Sequence, residues 1–348
     1  MAKGIFNHVH IGGVCVALPT ECFDTMDIAV DMSEKAVKRF IKSTGVEKRF
    51  LSKNGQTTSD LCYVAADRLL EEKNINRNEI DALIFVSQNP DYKRPSTAII
   101  LQERLKLSKD CMAFDINLGC SGYVYGLYTL ATMIEGGGIK RALLLAGDIN
   151  YDLPGELLFG DGGSATIIEC GNDKMEGIMK SDGAGYQAIY MPGGGQRHPL
   201  CMEKTDWEAM VPRMDGTAVF EFSITQVPEL LMEFNQIFGK KFEQYDYIIL
   251  HQANLMILEH IAIKCGIPSE KMPITISKYG NVSSASVPIS IADLCSNLCK
   301  KEDKLQLLLS GFGVGLSLGV LAIELKPKDV LPIIFSDYVW NERFDGTD

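Results

Sequence analysis

Cys111–Gly138 reads CMAFDINLGCSGYVYGLYTLATMIEGGG, with Cys120 at its hinge. The residues before the hinge, CMAFDIN, are apolar and read as a short buried strand. Those after it, SGYVYGLYTLATMIEG, are apolar on nearly every face, the pattern of a helix packed inside a large protein. Gly119 and Gly122 let the chain turn sharply and come close to a ligand. A Cys at such a turn sits on the first helical turn, where unpaired N–H groups and the helix dipole stabilise a thiolate. Taken alone, a free Cys is more often an inert small hydrophobe. Its reading as a nucleophile depends on what the chain supplies further along.

Composition narrows the field. The chain has 348 residues, 46% hydrophobic and 23% charged, ordinary values for a globular enzyme with a sizeable core. A formal net charge of −11 excludes nucleic acid as the expected partner. Small anionic substrates need only a local positive pocket. The ten Cys show neither C-x-x-C pairs nor metal spacing, so no metal is expected and a reducing cytosol fits better than a disulfide framework. Cys295 and Cys299, one helical turn apart, read as core or half-buried positions. No signal peptide is visible in MAKGIFNHVHIGG. Leu307–Ile323 is uncharged but short for a membrane span, and SGFGVG inside it reads as a glycine turn between two buried strands. A soluble cytoplasmic protein with no membrane partner is expected.

Working outward from the hinge, HIGGVCVAL (10–18) alternates like a first strand. Residues 27–49 read as helical with a break at Thr44-Gly45, and SDLCYVAADRLLEEKN (59–74) as an amphipathic helix. IDALIFVSQN (80–89), KRALLLAGDIN (140–150) and YDYIILHQAN (245–254) read as buried strands; LLFGDGGSATIIEC (157–170) reads as a turn and a strand. Residues 171–215, with GAGY and PGGGQRH, read as a long excursion, a lid or an interface element. A helical run resumes at Gly216. IDALIFVSQN resembles YDYIILHQAN, and RALLLAGD resembles LQLLLSGFG, a faint internal repeat that strand composition alone could also produce.

Two later residues bear on Cys120. His251 stands at the end of the apolar run YIIL, where α/β sites collect, opening the next helix. By itself it would more often be a hydrogen-bonded core His. His260, His8 and His10 carry no site signal. Asn281, in KYGNVSSASVP, offers an uncharged donor suited to a carbonyl oxygen, although such an Asn is more often a turn or cap residue. SGFGVGLSLG (310–319) can bring backbone N–H groups near the Cys120 sulfur as an oxyanion hole. It is no G-x-G-x-x-G loop, because a strand follows it. With no metal cluster or phosphate loop, no cofactor is expected.

FDINLGCSGYVYGL, LLFGDGGSA, HQAN, YGNVSSASVP and SGFGVGLS, in this order, resemble β-ketoacyl-acyl-carrier-protein synthase III of the thiolase superfamily, over about residues 10–325. The resemblance implies a five-layered αβαβα fold built from two pseudo-symmetric halves, and a homodimer. Residues 1–170 would carry the nucleophile, and residues 171–348 the His/Asn pair. It implies that Cys120 takes an acyl group from an acyl-CoA or acyl-carrier-protein thioester. Malonyl-acyl-carrier protein would then lose carbon dioxide while His251 and Asn281 hold its carbonyl. The oxyanion hole would be the N–H of Cys120 with one from the turn at Gly313 and Val314. Leu158, Phe159, Asn254 and Ser283 fall in the matching motifs and are expected at the substrate pocket, with Arg94.

The chain departs from the family pattern in several places. The usual F-G-G-G is Phe312-Gly313-Val314-Gly315, and a Val still offers its N–H if its φ is negative. The Trp and Arg that bind CoA adenine in the family correspond to Arg39 and Ser43. The Arg after H-Q-A-N-x is Met256, and the apolar residue before Pro95-Ser96 is Arg94. These changes point away from a plain acetyl-CoA primer and toward a starter on a carrier protein, or one with a polar or anionic group near Arg94. An Arg94 directed to solvent at the dimer edge is the plainer alternative. The competing enzyme reading is an acyltransferase of the same fold that passes the acyl group to a hydroxyl or amine without decarboxylation.

Overall fold

The computed structural model describes residues 2–29, 31–150, 157–199, 207–298 and 302–341. Ala2–Leu18 forms β1. Glu21–Asp24 (β2) and Lys48–Leu51 (β3) pair around helices Thr25–Ile28 (α1) and Glu34–Thr44 (α2). Then come Thr58–Glu72 (α3), Ala82–Val86 (β4), Thr97–Arg104 (α4) and Met112–Ile116 (β5). Gly122–Glu135 (α5), Arg141–Asp148 (β6) and Gly162–Cys170 (β7) complete the first half. The second half opens with Asp173–Ser181 (β8) and the short pair Ile189–Tyr190 (β9) and Arg213–Met214 (β10). Gly216–Phe238 (α6), Tyr247–Leu250 (β11), Leu255–Cys265 (α7), Ile276–Tyr279 (α8) and Ser286–Ser296 (α9) follow. Leu305–Gly313 (β12), Ser317–Leu325 (β13) and Ile334–Phe335 (β14) end the described chain.

The ten-stranded sheet runs β11-β12-β13-β8-β1-β7-β6-β4-β5, with β14 beside β1. Its two sides repeat one plan. From β1 outward, the first half lays down its first, fifth, fourth, second and third strands; from β8 outward, the second lays down its first, fourth, third and second, without a counterpart of β5. β4 runs parallel to β6 while β7 runs antiparallel, as β11 runs parallel to β12 while β13 runs antiparallel. The faint sequence repeat is therefore structural: β4 matches β11, and β6 matches β12.

Side-chain alternation along the strands makes the layers. Ile84 and Val86 of β4 and Leu144 of β6 face the core around α5 and α9, whereas Leu83, Phe85, Leu143 and Leu145 face α3 and α4. In the second half, Ile249, Leu307, Leu309 and Leu321 face the same central helices, and Ile248, Leu250, Leu308 and Val320 face α6 and α7. Helix, sheet, helix, sheet, helix is the resulting five-layered order. α5 is buried on nearly every face because both halves of the sheet pack against it.

Some expectations change. CMAFDIN is an edge strand: Met112 is 45% exposed and the rest of β5 half-buried, because β5 has a neighbour on one side only. The stretch 171–215 is no simple excursion. Its first part, β8, joins the sheet between β1 and β13, and residues 200–206 lie outside the described residues. Leu307–Ile323 divides into β12, a glycine turn and β13, and among the described residues no helix is long and apolar enough to cross a membrane. α3 starts one residue earlier than read, held by the Asp60 carboxylate accepting from Thr57 N at 3.1 Å. Cys295 is core; Cys299 lies outside the described residues.

Gly163 shows how closely α3 sits on the sheet. A Cβ there would stand 2.6 Å from Cys62 N and 2.8 Å from Leu61 C, both backbone atoms. Gly163→Ala is expected to destabilise the fold by about 1–3 kcal/mol, read as a lower urea midpoint. An unchanged midpoint would mean that α3 can slide without cost.

Candidate active site

Cys120 lies in the turn from β5 into α5, and three segments of the second half close on it. Glycines make the approach possible. A Cβ on Gly313 would be 2.7 Å from Cys120 Cβ and 3.0 Å from its Sγ, and one on Gly311 would be 2.9 Å from Ser121 Cα. The Ser121 and Ser317 hydroxyls meet at 2.6 Å, and Ser317 Oγ donates to the Val314 carbonyl at 2.6 Å, which ties the β12–β13 turn to the hinge. Among described non-glycine residues, positive φ is confined to Asn74, Lys106 and Ser283, so Val314 meets the condition for keeping its N–H available. The N–H groups of Cys120 and Val314 both bond toward the sulfur.

The thiol is not ionised as the helix terminus led us to expect. Burial pushes Cys120 up to about 11, and the nearby Asp148 carboxylate adds to the rise; the Ser283 hydroxyl and the two N–H groups pull the other way and do not prevail. Cys120 is half-buried, so its surroundings withhold most of the water a thiolate needs. One first-turn donor is already committed, since Gly122 N donates to the Gly119 carbonyl at 2.7 Å.

His251 follows β11, anchored by its N–H to the Ser310 carbonyl at 2.8 Å. It precedes α7 by a short connection and does not open the helix itself. Phe312 packs edge-on against the ring at 5.4 Å between centroids. Nδ1 lies 2.7 Å from Ser286 Oγ, which is also 2.9 Å from the Ser283 carbonyl. The one Ser286 proton, given to Nδ1, leaves the imidazole's own proton on Nε2, and given to the Ser283 carbonyl, leaves it on Nδ1; Nε2 makes no hydrogen bond among the described residues. Burial lowers the His251 pKa to about 3, the Ser283 carbonyl opposing only weakly, so the ring is neutral.

Asn281 is held by its main chain. Its N–H donates to the Leu158 carbonyl at 2.9 Å and its carbonyl accepts from Gly160 N at 3.0 Å. Gly160 and Gly280 allow this crossing: a Cβ on Gly160 would be 2.2 Å from Tyr279 O, and Gly280 has φ +69°. The side-chain Oδ1 accepts from Ser283 N at 2.9 Å and Nδ2 donates to the Ala253 carbonyl at 3.3 Å, which leaves a second amide N–H uncommitted.

Ser283 is the common neighbour. Its Oγ is 3.9 Å from Cys120 Sγ, its N–H holds Asn281, and its carbonyl faces His251. Leu158 and Phe159 join the group through the Asn281 backbone. Asn254 caps α7, its Oδ1 accepting from Ile257 N at 2.8 Å. Arg94 stands exposed on the loop after β4. Two residues of this centre escaped the sequence reading, Asp148 and Ser286. An acidic end to the apolar strand RALLLAGD was the one available sign of the first.

Gly313→Ala should push the turn off the sulfur and cut transfer of an acyl group to Cys120 about 10²–10³-fold, as loss of an oxyanion donor does. Unchanged acylation, followed by intact mass, would exclude that turn from the site. The neutral His251 sets an acid limb on stability. Its contribution is complete above its unfolded value of 6.5 and is lost as pH falls toward the folded value of about 3, because the unfolded chain binds the extra proton first. His251→Asn should flatten the fall of urea midpoint between those pH values, where one such group gives a slope of about 1.4 kcal/mol per pH unit. Equal slopes in the two proteins would place a charged imidazole in the fold.

Most of the chain is similar to known proteins. The model of 3-oxoacyl-[acyl-carrier-protein (ACP)] synthase III matches residues 114–184, and that of its C-terminal part matches residues 238–325. The β-ketoacyl-[acyl-carrier-protein] synthase III of Chlorobaculum tepidum is 33% identical over 316 residues, 87% of this chain and 94% of the relative. The crystal structure of a 3-oxoacyl-(acyl-carrier protein) synthase from Burkholderia xenovorans LB400 superposes with a TM-score of 0.90 at 36% identity, covering 96% of this chain and 99% of that one. The 3-oxoacyl-(acyl carrier protein) synthase III of Pseudomonas aeruginosa PAO1 gives 0.81 at 26% identity over 92% and 98%. With a hinge cysteine, a strand-end histidine and a loop asparagine gathered around one serine, on this fold and at these identities, the chain belongs to the 3-oxoacyl-[acyl-carrier-protein] synthase III family.

Proposed function

We propose that the protein is an acyl-transferring condensing enzyme that joins an acyl group held on Cys120 to malonyl-acyl-carrier protein with loss of carbon dioxide, giving a β-ketoacyl product. The observation that carries this is the convergence of Cys120, His251 and Asn281 on Ser283. In the first half-reaction the Cys120 sulfur attacks the carbonyl of an acyl-CoA or acyl-carrier-protein thioester, and the carrier leaves as a thiol. In the second, the malonyl carboxylate leaves as carbon dioxide while His251 Nε2–H and the free Asn281 amide N–H hold the thioester oxygen as an enolate. The enolate carbon attacks the acyl-Cys120 carbonyl. The N–H groups of Cys120 and Val314 take the oxyanion, and the sulfur departs and recovers a proton from solvent. Side chains and backbone supply every group, so this reading assigns no cofactor.

The exposed edge of β5, apolar and half-buried, supports a homodimer in which two β5 strands pair. A cytoplasmic setting suits ten cysteines without pairing motifs. The departures at Arg39, Ser43, Arg94 and Met256 support a starter other than acetyl-CoA, and Arg94 is the position assigned to it. Arg94→Met compared with wild type across neutral and acidic acyl thioesters tests that assignment, which equal preference would remove.

Cys120→Ala should abolish the mass shift of self-acylation. His251→Ala and Asn281→Ala should still acylate yet release carbon dioxide from malonyl-acyl-carrier protein about 10²–10³-fold more slowly. Full acyl transfer to a hydroxyl or amine without carbon dioxide release would replace condensation by the simpler acyltransferase.

A further inference from the structure

The centre contains one buried ionisable group that the condensation scheme does not use. Asp148 ends β6 with its carboxylate 2% exposed as a residue, and among the described residues no Lys, Arg or His forms an ion pair with it. It is instead surrounded by neutral donors. Oδ1 accepts from Ser87 Oγ at 2.8 Å and from Gln88 N at 3.1 Å, and Oδ2 accepts from Ser284 N at 3.2 Å. The Ser283 hydroxyl also faces it, on the side that favours the carboxylate form. That same hydroxyl is the one 3.9 Å from Cys120 Sγ.

The backbone is arranged to put that hydroxyl between the two. Ser283 has φ +42°, a left-handed conformation that L residues adopt at a cost. Opposite it, Gly119 leaves the space: a Cβ there would be 3.1 Å from Ser283 Oγ and 2.5 Å from Gln88 Oε1. A serine in a conformation suited to glycine, facing a glycine, sets its Oγ 3.9 Å from the sulfur, one residue before the N–H that binds Asp148 Oδ2. Because burial raises the Asp148 carboxyl above its usual range, it is a stronger base than a surface aspartate.

We propose that Asp148 is the base for Cys120, reached through Ser283, so that thiol and carboxylate share one proton. This rests on the acyl-transfer reading and adds its proton path. Cys120 Sγ–H gives its proton to Ser283 Oγ as Ser283 gives its own to Asp148. The sulfur electron pair then forms the new C–S bond, the carrier C–S bond breaks, and the departing thiolate takes the proton back along the same path. The buried centre carries one negative charge before and after transfer, so no second ion has to be stabilised. His251, neutral and engaged at Ser286, is left free to act as a donor in the second half-reaction. The titratable groups around Asp148 are Cys120 at the hinge and Cys62 on α3, with Asp91 and Arg104 beyond Cys62 and His251 behind Ser283. Cys62 is pushed up to about 12 and stays a neutral thiol.

The test is alkylation of Cys120 by iodoacetamide across pH, read by mass, beside the rate of self-acylation. A shared proton gives wild type two steps, with a neutral-pH plateau set by the thiolate–carboxylic acid form. Asp148→Asn should lose the plateau, and its acylation should fall about 10²-fold or more. Ser283→Gly removes the hydroxyl while easing φ and keeping both backbone contacts, and should behave the same way even where Asp148→Asn does not fold. The opposite sign overturns the proposal: if Asp148 only repels the thiolate, Asp148→Asn alkylates faster at pH 7. Wild-type rates in Ser283→Gly overturn it too. The plateau appearing in a protein that no acyl thioester modifies would uphold the proton path and remove the condensing reading.

Discussion

The constraint on which the rest of this structure depends is steric: the β12–β13 turn and the 280–283 loop must lie against Cys120. Gly313 and Gly311 have no room for a side chain on that side, and Gly119 has none toward Ser283. These contacts join the two halves at a depth where main-chain atoms touch. They are held in register by the antiparallel pairing of β1 with β8, which makes a single sheet of the two repeats. The central helices α5 and α9 fill the space between the sheet faces and set where the hinge and the loop arrive. The residues gathered around Ser283 come from both halves, and neither half alone contains the cluster.

That closeness has an electrostatic consequence. Excluding water raises the cost of every ion in the centre, which is why a cysteine before a central helix is a neutral thiol and a histidine at a strand end is a neutral imidazole. The helix terminus acts in the expected direction but is outweighed by burial and by a carboxylate that belongs to another strand. Local sequence context and tertiary environment therefore oppose each other at the same atom, and the environment prevails.

The same division explains what could be read from residues alone. Cys120, His251 and Asn281 were legible because each stands where a strand or turn gives way to a helix, in a motif with its own glycine or Gln/Asn neighbours. The layered fold was legible through periodicity and through two pairs of similar strands. Asp148 was not, because its importance comes from Ser283, distant in sequence and brought near by folding. A cap residue and a pocket residue look alike in H-Q-A-N, and the capping duty of Asn254 became visible only through its bond to Ile257 N. The edge position of β5 was hidden for a related reason. Met112 to Ile116 has the composition of a buried strand, and its exposure depends on which strand lies beside it.

A neutral centre suits the chemistry better than a charged one. Ground-state thioesters are uncharged at the reacting carbon, whereas the enolate and the tetrahedral intermediate are anions. In the proposed condensation, N–H donors from Cys120, Val314, Asn281 and a neutral His251 would interact weakly with the first and strongly with the second, with their orientation set before substrate arrives. A permanently cationic histidine would also bind the malonyl carboxylate and the resting thiolate, stabilising the states that should be left behind. The bonds that fix these donors, from His251 N to the Ser310 carbonyl, from Ser283 N to Asn281 Oδ1 and from Ser317 Oγ to the Val314 carbonyl, are 2.6–2.9 Å long. The fold thus spends its tightest packing on keeping dipoles still around a space where charge appears only during reaction.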